Sequence, residues 1–387
     1  MTSSRKTSIL ITVFFVLIII SDFHYKIIST YGIVGTKLTL PIKLLIGAFL
    51  SCYLILKKLL DNKKLIYLSL FGLVIFVRLI SQNEWHFERE IYIIGQYVFG
   101  VIVFLFFSNS YHHLDFRALE KFLYLIVLLN FVCIILALIF DLQLFKTYFS
   151  RFGYNGILKS TSTASYFYMF TVLYLLVKKD KNKQLNLLLL IALLSAFLVG
   201  SKTLYAFIAI VFIVYLLRYI NQKQRYVNST IFYLISAVIL IVLGLYLFIP
   251  LISLNKTLHK VLINDGVVSA FFSYRDKHVV NAFFEVTTNY DLSNYLFGGL
   301  SKVTRLTEVA VVDVFLNFGA IGAVVFFVLF FKNMPHINNP ILKTFLIVIF
   351  CLIMLRGNFF YFPSVIYLAL AIFTLTLNHD RNQKHSK

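Results

Sequence analysis

Charge is scarce in this chain. Only 13% of its 387 residues are Asp, Glu, Lys or Arg. That is about half the share typical of soluble domains, which excludes an ordinary water-soluble fold. Prolines number five and glycines sixteen, too few for flexible linkers or low-complexity tracts, so one domain over 1–387 is expected. The three cysteines, Cys52, Cys133 and Cys351, all lie inside apolar runs. Their spacing matches no metal site and their number is odd, so they read as small buried hydrophobes.

Negative charge is scarcer than positive: 16 acidic residues face 36 basic ones, a net charge of +20. That balance points to nucleic acid only when the cations line a soluble face. Here they punctuate apolar runs, so no nucleic-acid partner is expected. Walker A, G-x-G-x-x-G and H-E-x-x-H patterns are absent. The short polar connections also lack a D-x-D pair and are too small to hold a nucleotide-binding domain. His259 and His278 have no metal-ligand neighbours at useful spacing, so neither metal nor cofactor is expected. The energy source is then a gradient or a substrate already activated and lipid-linked. Transporters, flippases and lipid-dependent transferases remain.

What the chain does have is apolar sequence: 60% hydrophobic residues and a mean hydropathy of +0.86. A membrane span needs about 20 mostly apolar residues. Span cores are expected near 7–21, 38–56, 65–80, 91–107, 122–140, 164–177, 185–200, 204–217, 231–252, 309–331, 342–355 and 364–377. The fold expected is therefore all-α and polytopic, with about twelve transmembrane helices. Arg5-Lys6 and the apolar run after them mimic a signal peptide but lack a small-x-small cleavage site, so an uncleaved first helix is expected. With the N-terminus inside, short loops carry 20 Lys plus Arg on the inner side and 8 on the outer. The positive-inside rule thus places both termini in the cytoplasm and one large loop, 253–308, outside.

Acidic residues concentrate on the outer side, so a polar site is expected there. In loop 253–308, Ser273-Tyr274-Arg275-Asp276-Lys277-His278 precedes an apolar stripe at Val279, Val280, Phe283 and Phe284. This spacing predicts a short amphipathic helix, with Asp276 as its cap, lying in the membrane interface. Arg275 then meets either lipid phosphates or substrate. After Gly298-Gly299, the stretch from Ser301 to Glu308 is expected to run as continuous helix into the next span. Lys302, Arg305 and Asp313 would share one face. An acid inside a span faces a partner or a polar cavity, so Asp313 is a base, an orienter of Arg305 or half of a structural pair. Arg151 sits in a glycine turn before the Ser/Thr cluster 160–163, Lys202 in the tight turn 200–203, and Arg356 at the end of a span. A diphosphate at the outer headgroup level needs two or more such cations, preferably guanidinium forks.

Four stretches carry a resemblance to the O-antigen polymerase (Wzy-type) and O-antigen ligase superfamily. They are Arg151-Phe-Gly-x-Asn-Gly, Gly200-Ser-Lys-Thr, Tyr274-Arg275 followed by Leu296-Phe297-Gly298-Gly299, and Glu308-x4-Asp313-x5-Gly319-x2-Gly322. The evenly spaced Arg-x10-Gly pattern of some polymerases is missing, since Arg151 leads to Ser162 and Arg275 to Val286. The ligase branch's loop histidine has only His278 as a counterpart. The resemblance implies a glycosyltransferase of the bacterial inner membrane. It would polymerise undecaprenyl-diphosphate-linked repeat units of O-antigen or capsule, with ligase or flippase as alternatives. Partners would be lipid-linked oligosaccharide, membrane lipids, and a chain-length regulator and flippase of the same pathway. Arg151, Arg275, Arg305, Lys202, Lys302 and Arg356 would bind the diphosphate, and Glu308 or Asp313 would serve as base.

Overall fold

A computed structural model describes residues 3–34, 38–81, 87–111, 114–148, 152–178, 183–223, 256–299, 303, 305–335, 337, 339–356 and 359–385. Among them all regular structure is helical, apart from one isolated bridge between Lys146 and Tyr154. The first five helices are α1 (Ser3–Tyr31), α2 (Thr39–Leu56), α3 (Asn62–Ser81), α4 (Phe87–Ser110) and α5 (Arg117–Phe140). Then come α6 (Thr161–Lys178), α7 (Lys183–Leu198), α8 (Lys202–Lys223), α9 (Lys256–Phe272), α10 (Arg275–Asn289) and α11 (Leu292–Phe297). The last three are α12 (Ala310–Lys332), α13 (Pro340–Arg356) and α14 (Pro363–His385). The span expected at 231–252 lies outside the described residues.

Among the described residues, five helices are long and apolar enough to cross a membrane: α1, α2, α4, α5 and α12. Their outer faces expose Leu44, Leu45, Leu125, Leu128 and Val324. A water-soluble protein does not expose so much contiguous hydrocarbon.

The hub is the pair α6 and α14. Every residue from Thr163 to Leu175, and from Pro363 to Leu377, is buried. Helix α14 packs on α6, α4 and α1, and α6 also packs on α7 and α8. A helix enclosed on all sides meets protein rather than lipid. Hence α6 can hold Tyr166, Tyr168 and Ser165 in its interior, provided their polar atoms find partners. Tyr168, for one, accepts from Asn130 at 2.7 Å. Ser160 caps α6, its hydroxyl accepting from the Thr163 amide at 3.2 Å. Pro340 and Pro363 open their helices, where a missing amide proton costs nothing.

Three sequence expectations need correction. Helix α1 does not stop at residue 21 but continues to Tyr31, because the charge of Lys26 is absorbed by loop carbonyls rather than exposed. Cys52 and Cys351 are exposed on outward helix faces, and Cys133 is half-buried against the core. Asp276 does not cap α10; that place is taken by Tyr274 in a left-handed conformation, φ 69°.

Candidate functional site

Four chain segments distant in sequence meet at the end of the bundle that carries the α7–α8 turn. The first contact is between two glycine turns. A Cβ on Gly153 would stand 2.8 Å from the Val199 carbonyl, and one on Gly200 2.7 Å from the Phe152 carbonyl. The glycines therefore allow backbone to approach backbone, not a ligand. The Tyr154 amide donates to the Leu198 carbonyl at 2.8 Å and fixes this contact. Arg151 itself lies outside the described residues.

The same α7–α8 turn holds the other segments. Lys202 donates to the Phe271 carbonyl at 3.3 Å and to Ser273 Oγ at 2.9 Å, and also to the Ala270 carbonyl. A cation at a helix C-terminus is favoured by the dipole, so Lys202 clamps α9 to α8. The elbow beyond it uses two consecutive left-handed residues, Ser273 (φ 55°) and Tyr274 (φ 69°). This elbow sets Arg275 at the first turn of α10. Half-buried on α9, Asp265 accepts from Lys277 and Tyr274. Those hydrogen bonds hold its carboxyl below the usual carboxylate range.

Arg275 Nη2 pairs with Glu308 Oε2 at 3.2 Å, while its buried Nε receives no hydrogen-bond acceptor among the described residues. Arg356, at the end of α13, is 6% exposed; its Nη1 donates to Ser201 Oγ at 2.9 Å. Its guanidinium also lies 5.7 Å from the Tyr166 ring centre. The charges of Arg275 and Glu308 both act on Arg356, and both arginines act on Tyr166. One guanidinium, Arg275, thus pairs with Glu308, and a second, buried one, Arg356, lies near enough for its charge to be felt there. An excess of positive charge held this way favours an anion with several oxygens.

The expected helix through 301–308 does not form. Residues 305–309 are irregular, with Glu308 at φ 60°, and α12 starts only at Ala310. Asp313 is the reason: its Oδ1 accepts from the Thr307 amide at 2.7 Å and from the Thr307 hydroxyl at 2.8 Å. The carboxylate ties the preceding turn down in place of a further helical turn. Arg305 is exposed, and no ion pair between it and Asp313 is found among the described residues. Glu308 reaches Arg275 across the elbow. Lys302 lies outside the described residues. Of the expected site, then, Arg275, Arg356 and Glu308 come together, with Lys202 and Asp313 supporting them from behind.

Residue spacing gave no hint of a second polar network beneath this site. Helix α12 breaks at Gly319 (φ 64°), where a Cβ would stand 2.3 Å from Leu296 C. Across the contact, a Cβ on Gly298 would stand 2.2 Å from the Asn317 carbonyl oxygen. The carbonyl of Leu316, released by the break, accepts from the Gly299 amide at 3.1 Å and from Tyr290 Oη at 3.2 Å. Such repair is what an interrupted helix in an apolar medium requires. Asn317 donates to Tyr97 Oη at 3.3 Å and to the Asp313 carbonyl at 2.6 Å. Arg78 and Glu90, both buried, form an ion pair beside Phe318. The signals available beforehand were an arginine inside a span, the Gly298-Gly299 pair and Gly319-x-x-Gly322.

The comparisons with known proteins are silent. No family model matches the chain, and no curated protein or solved structure matches it.

Proposed function

We propose that the chain is a polytopic membrane glycosyltransferase that polymerises lipid-diphosphate-linked oligosaccharides at the outer face of the membrane. The observation that carries this reading is the pairing of Arg275 with Glu308 beside a second, buried guanidinium, Arg356. In the proposed topology about twelve helices span the bilayer. Both termini lie in the cytoplasm, and 253–308 forms an external lid of α9 to α11. The positive-inside balance supports that orientation. The open face of α10, with Val280, Phe283 and Phe284 all exposed, suits the interfacial position of such a lid.

In the proposed reaction the donor diphosphate enters between Arg275 and Arg356. Arg275 then exchanges Glu308 for phosphate oxygens. A carboxylate relieved of its guanidinium is more basic, so diphosphate binding arms Glu308 as the base. The acceptor hydroxyl gives its proton to Glu308 as its oxygen bonds to the anomeric carbon. The anomeric carbon–oxygen bond breaks toward the lipid diphosphate, whose developing charge the two guanidiniums neutralise. Asp313, through Thr307, positions the turn that carries Glu308, and Lys202 positions the elbow that carries Arg275. Arg305 is left at the rim.

Deletion in the native strain followed by a ladder gel of surface polysaccharide tests the reading. Single-repeat product without a ladder is the expected result. Accumulation of unattached polymer would instead show a ligase, and absence of both products outside would show a flippase.

A further inference from the structure

A second charged group lies at the same end of the bundle, between α1 and α2, and the proposed reaction does not use it. Asp22 and Lys26 stand one turn apart on α1, Lys43 lies early in α2, and Lys159 precedes the Ser160 cap of α6. Lys26 is fully engaged: it donates to Asn155 Oδ1 and the Gly156 carbonyl, each at 2.6 Å, and to the Leu158 carbonyl at 3.3 Å. Lys43 and Lys159 are engaged far less. Lys43 Nζ stands 3.5 Å from Asp22 Oδ1, too long for a strong charge-assisted hydrogen bond. Lys159 rests on the Tyr25 ring, 4.2 Å from its centre, and its charge acts on Lys43. Asp22 is 3% exposed, yet neither carboxylate oxygen receives a hydrogen bond among the described residues.

The group is therefore incomplete in two ways. Two ammonium groups, Lys43 and Lys159, act on one another beside a single carboxylate, and that buried carboxylate has only the long contact with Lys43, which is costly. One kind of ligand repairs both: a phosphate between the lysines, with hydroxyl groups donating to Asp22. A bare phosphate lacks the hydroxyls, and a neutral saccharide lacks the charge.

We propose that Asp22, Lys43 and Lys159 form a second binding site, for a phosphate-linked saccharide. The identity of the ligand rests on the polymerase reading, in which two lipid-linked glycans must be held at once. The Arg275–Arg356 site takes the donor, and this one takes the acceptor. The segment 152–158 joins the two sites. One end abuts Gly200 beside Ser201, the partner of Arg356, and the other is held by Lys26.

The test is equilibrium binding to the full chain in phosphatidylcholine nanodiscs, with farnesyl diphosphate and farnesyl-diphosphate-linked glucose as probes. Two sites per chain are expected for the glucosylated probe. Lys43→Gln with Lys159→Gln should weaken one of them at least about tenfold and leave the other unchanged. Asp22→Asn should weaken the glucosylated probe but not farnesyl diphosphate, and Lys159→Arg should keep wild-type binding. If Lys43→Gln lowers the melting temperature, Lys159→Gln alone, on its loop, carries the comparison. Two sites of wild-type affinity in the lysine variants would overturn the proposal. So would equal binding of inorganic diphosphate, or displacement of the probe from this site by phosphatidylglycerol nanodiscs. Arg275→Gln should remove the other site only. If it does not, the polymerase reading fails while the second site stands.

Discussion

The molecule contains two arginine–glutamate pairs that differ in every respect except composition. Arg78 and Glu90 are closed in, with side chains 0% and 4% exposed, and the Phe318 ring lies against the guanidinium. Arg275 and Glu308 are 22% and 37% exposed and meet through one contact at 3.2 Å, with a second guanidinium beside them. Burial makes the first pair indispensable to the fold, because either charge alone in that place would be ruinous. Partial exposure makes the second pair exchangeable, since water or a ligand can replace either partner at modest cost. A site built for turnover needs the second kind.

The largest contrast should appear when each carboxylate is removed. Glu90→Ala should cost about 3–5 kcal/mol of stability by leaving the Arg78 charge buried without its carboxylate, and so empty the membrane of protein. Glu308→Ala should leave membrane levels near wild type, as quantified by immunoblot of the membrane fraction. Adding Arg78→Met to Glu90→Ala should restore much of the lost protein. Equal losses from the two single variants would abolish the distinction.

Activity should show the reverse order. Glu308→Gln should slow polymer formation by about a hundredfold or more, the usual worth of a positioned base, in an assay of repeat-unit consumption. Arg275→Lys keeps the charge but loses the fork, so a loss of about tenfold is expected, concentrated in the step that handles the diphosphate. Wild-type ladders from Arg275→Ala would reduce the pair to a lid contact.

A smaller effect is expected one step back from the site. Asp313→Asn keeps an acceptor for Thr307, and Thr307→Val removes the donor hydroxyl, a change worth about 1 kcal/mol. Both should lower kcat by about tenfold or less at normal membrane levels, with an unchanged pH profile. A pH profile altered by Asp313→Asn would make Asp313 the base instead.

The smallest effect concerns Asp265, beside the elbow. Its carboxyl titrates below the usual range because Lys277 and Tyr274 donate to it. Its contribution is present above the unfolded value of about 3.9 and is lost as pH falls through the lower folded value. Hydrogen exchange at Ser273 and Tyr274, corrected for intrinsic rate, should rise slightly at pH values below that range, and Asp265→Asn should give the same rise at neutral pH.

How much of this was legible beforehand depended on the range of the cause. Apolar runs mark α1, α2, α4, α5 and α12 because span length is a local property of composition. The short amphipathic helix after Ser273 was readable from a few neighbouring residues, but its first turn was not, since Tyr274 stands where Asp276 was expected. The extension of α1 to Tyr31 was not, because Lys26 finds its acceptors 130 residues away at Gly156. Nor was the partner of Glu308, since the helix assumed through 301–308 is undone by Asp313 capturing Thr307. Periodicity reports which way a side chain leaves its own helix and says nothing of a distant acceptor.

The meeting of Gly298 with the interrupted α12 has one more consequence. With no side-chain layer between the two backbones, there is no compressible material to absorb sliding. Displacing α11 along α12 by one residue would drive the Cβ of Phe297 or Phe318 into main-chain atoms, as the 2.2 and 2.3 Å clearances at Gly298 and Gly319 imply. The joint therefore works as a detent, seated in one register or fully disengaged. Because the chain returns to α12 through Glu308, that detent also meters how far the carboxylate can travel from Arg275.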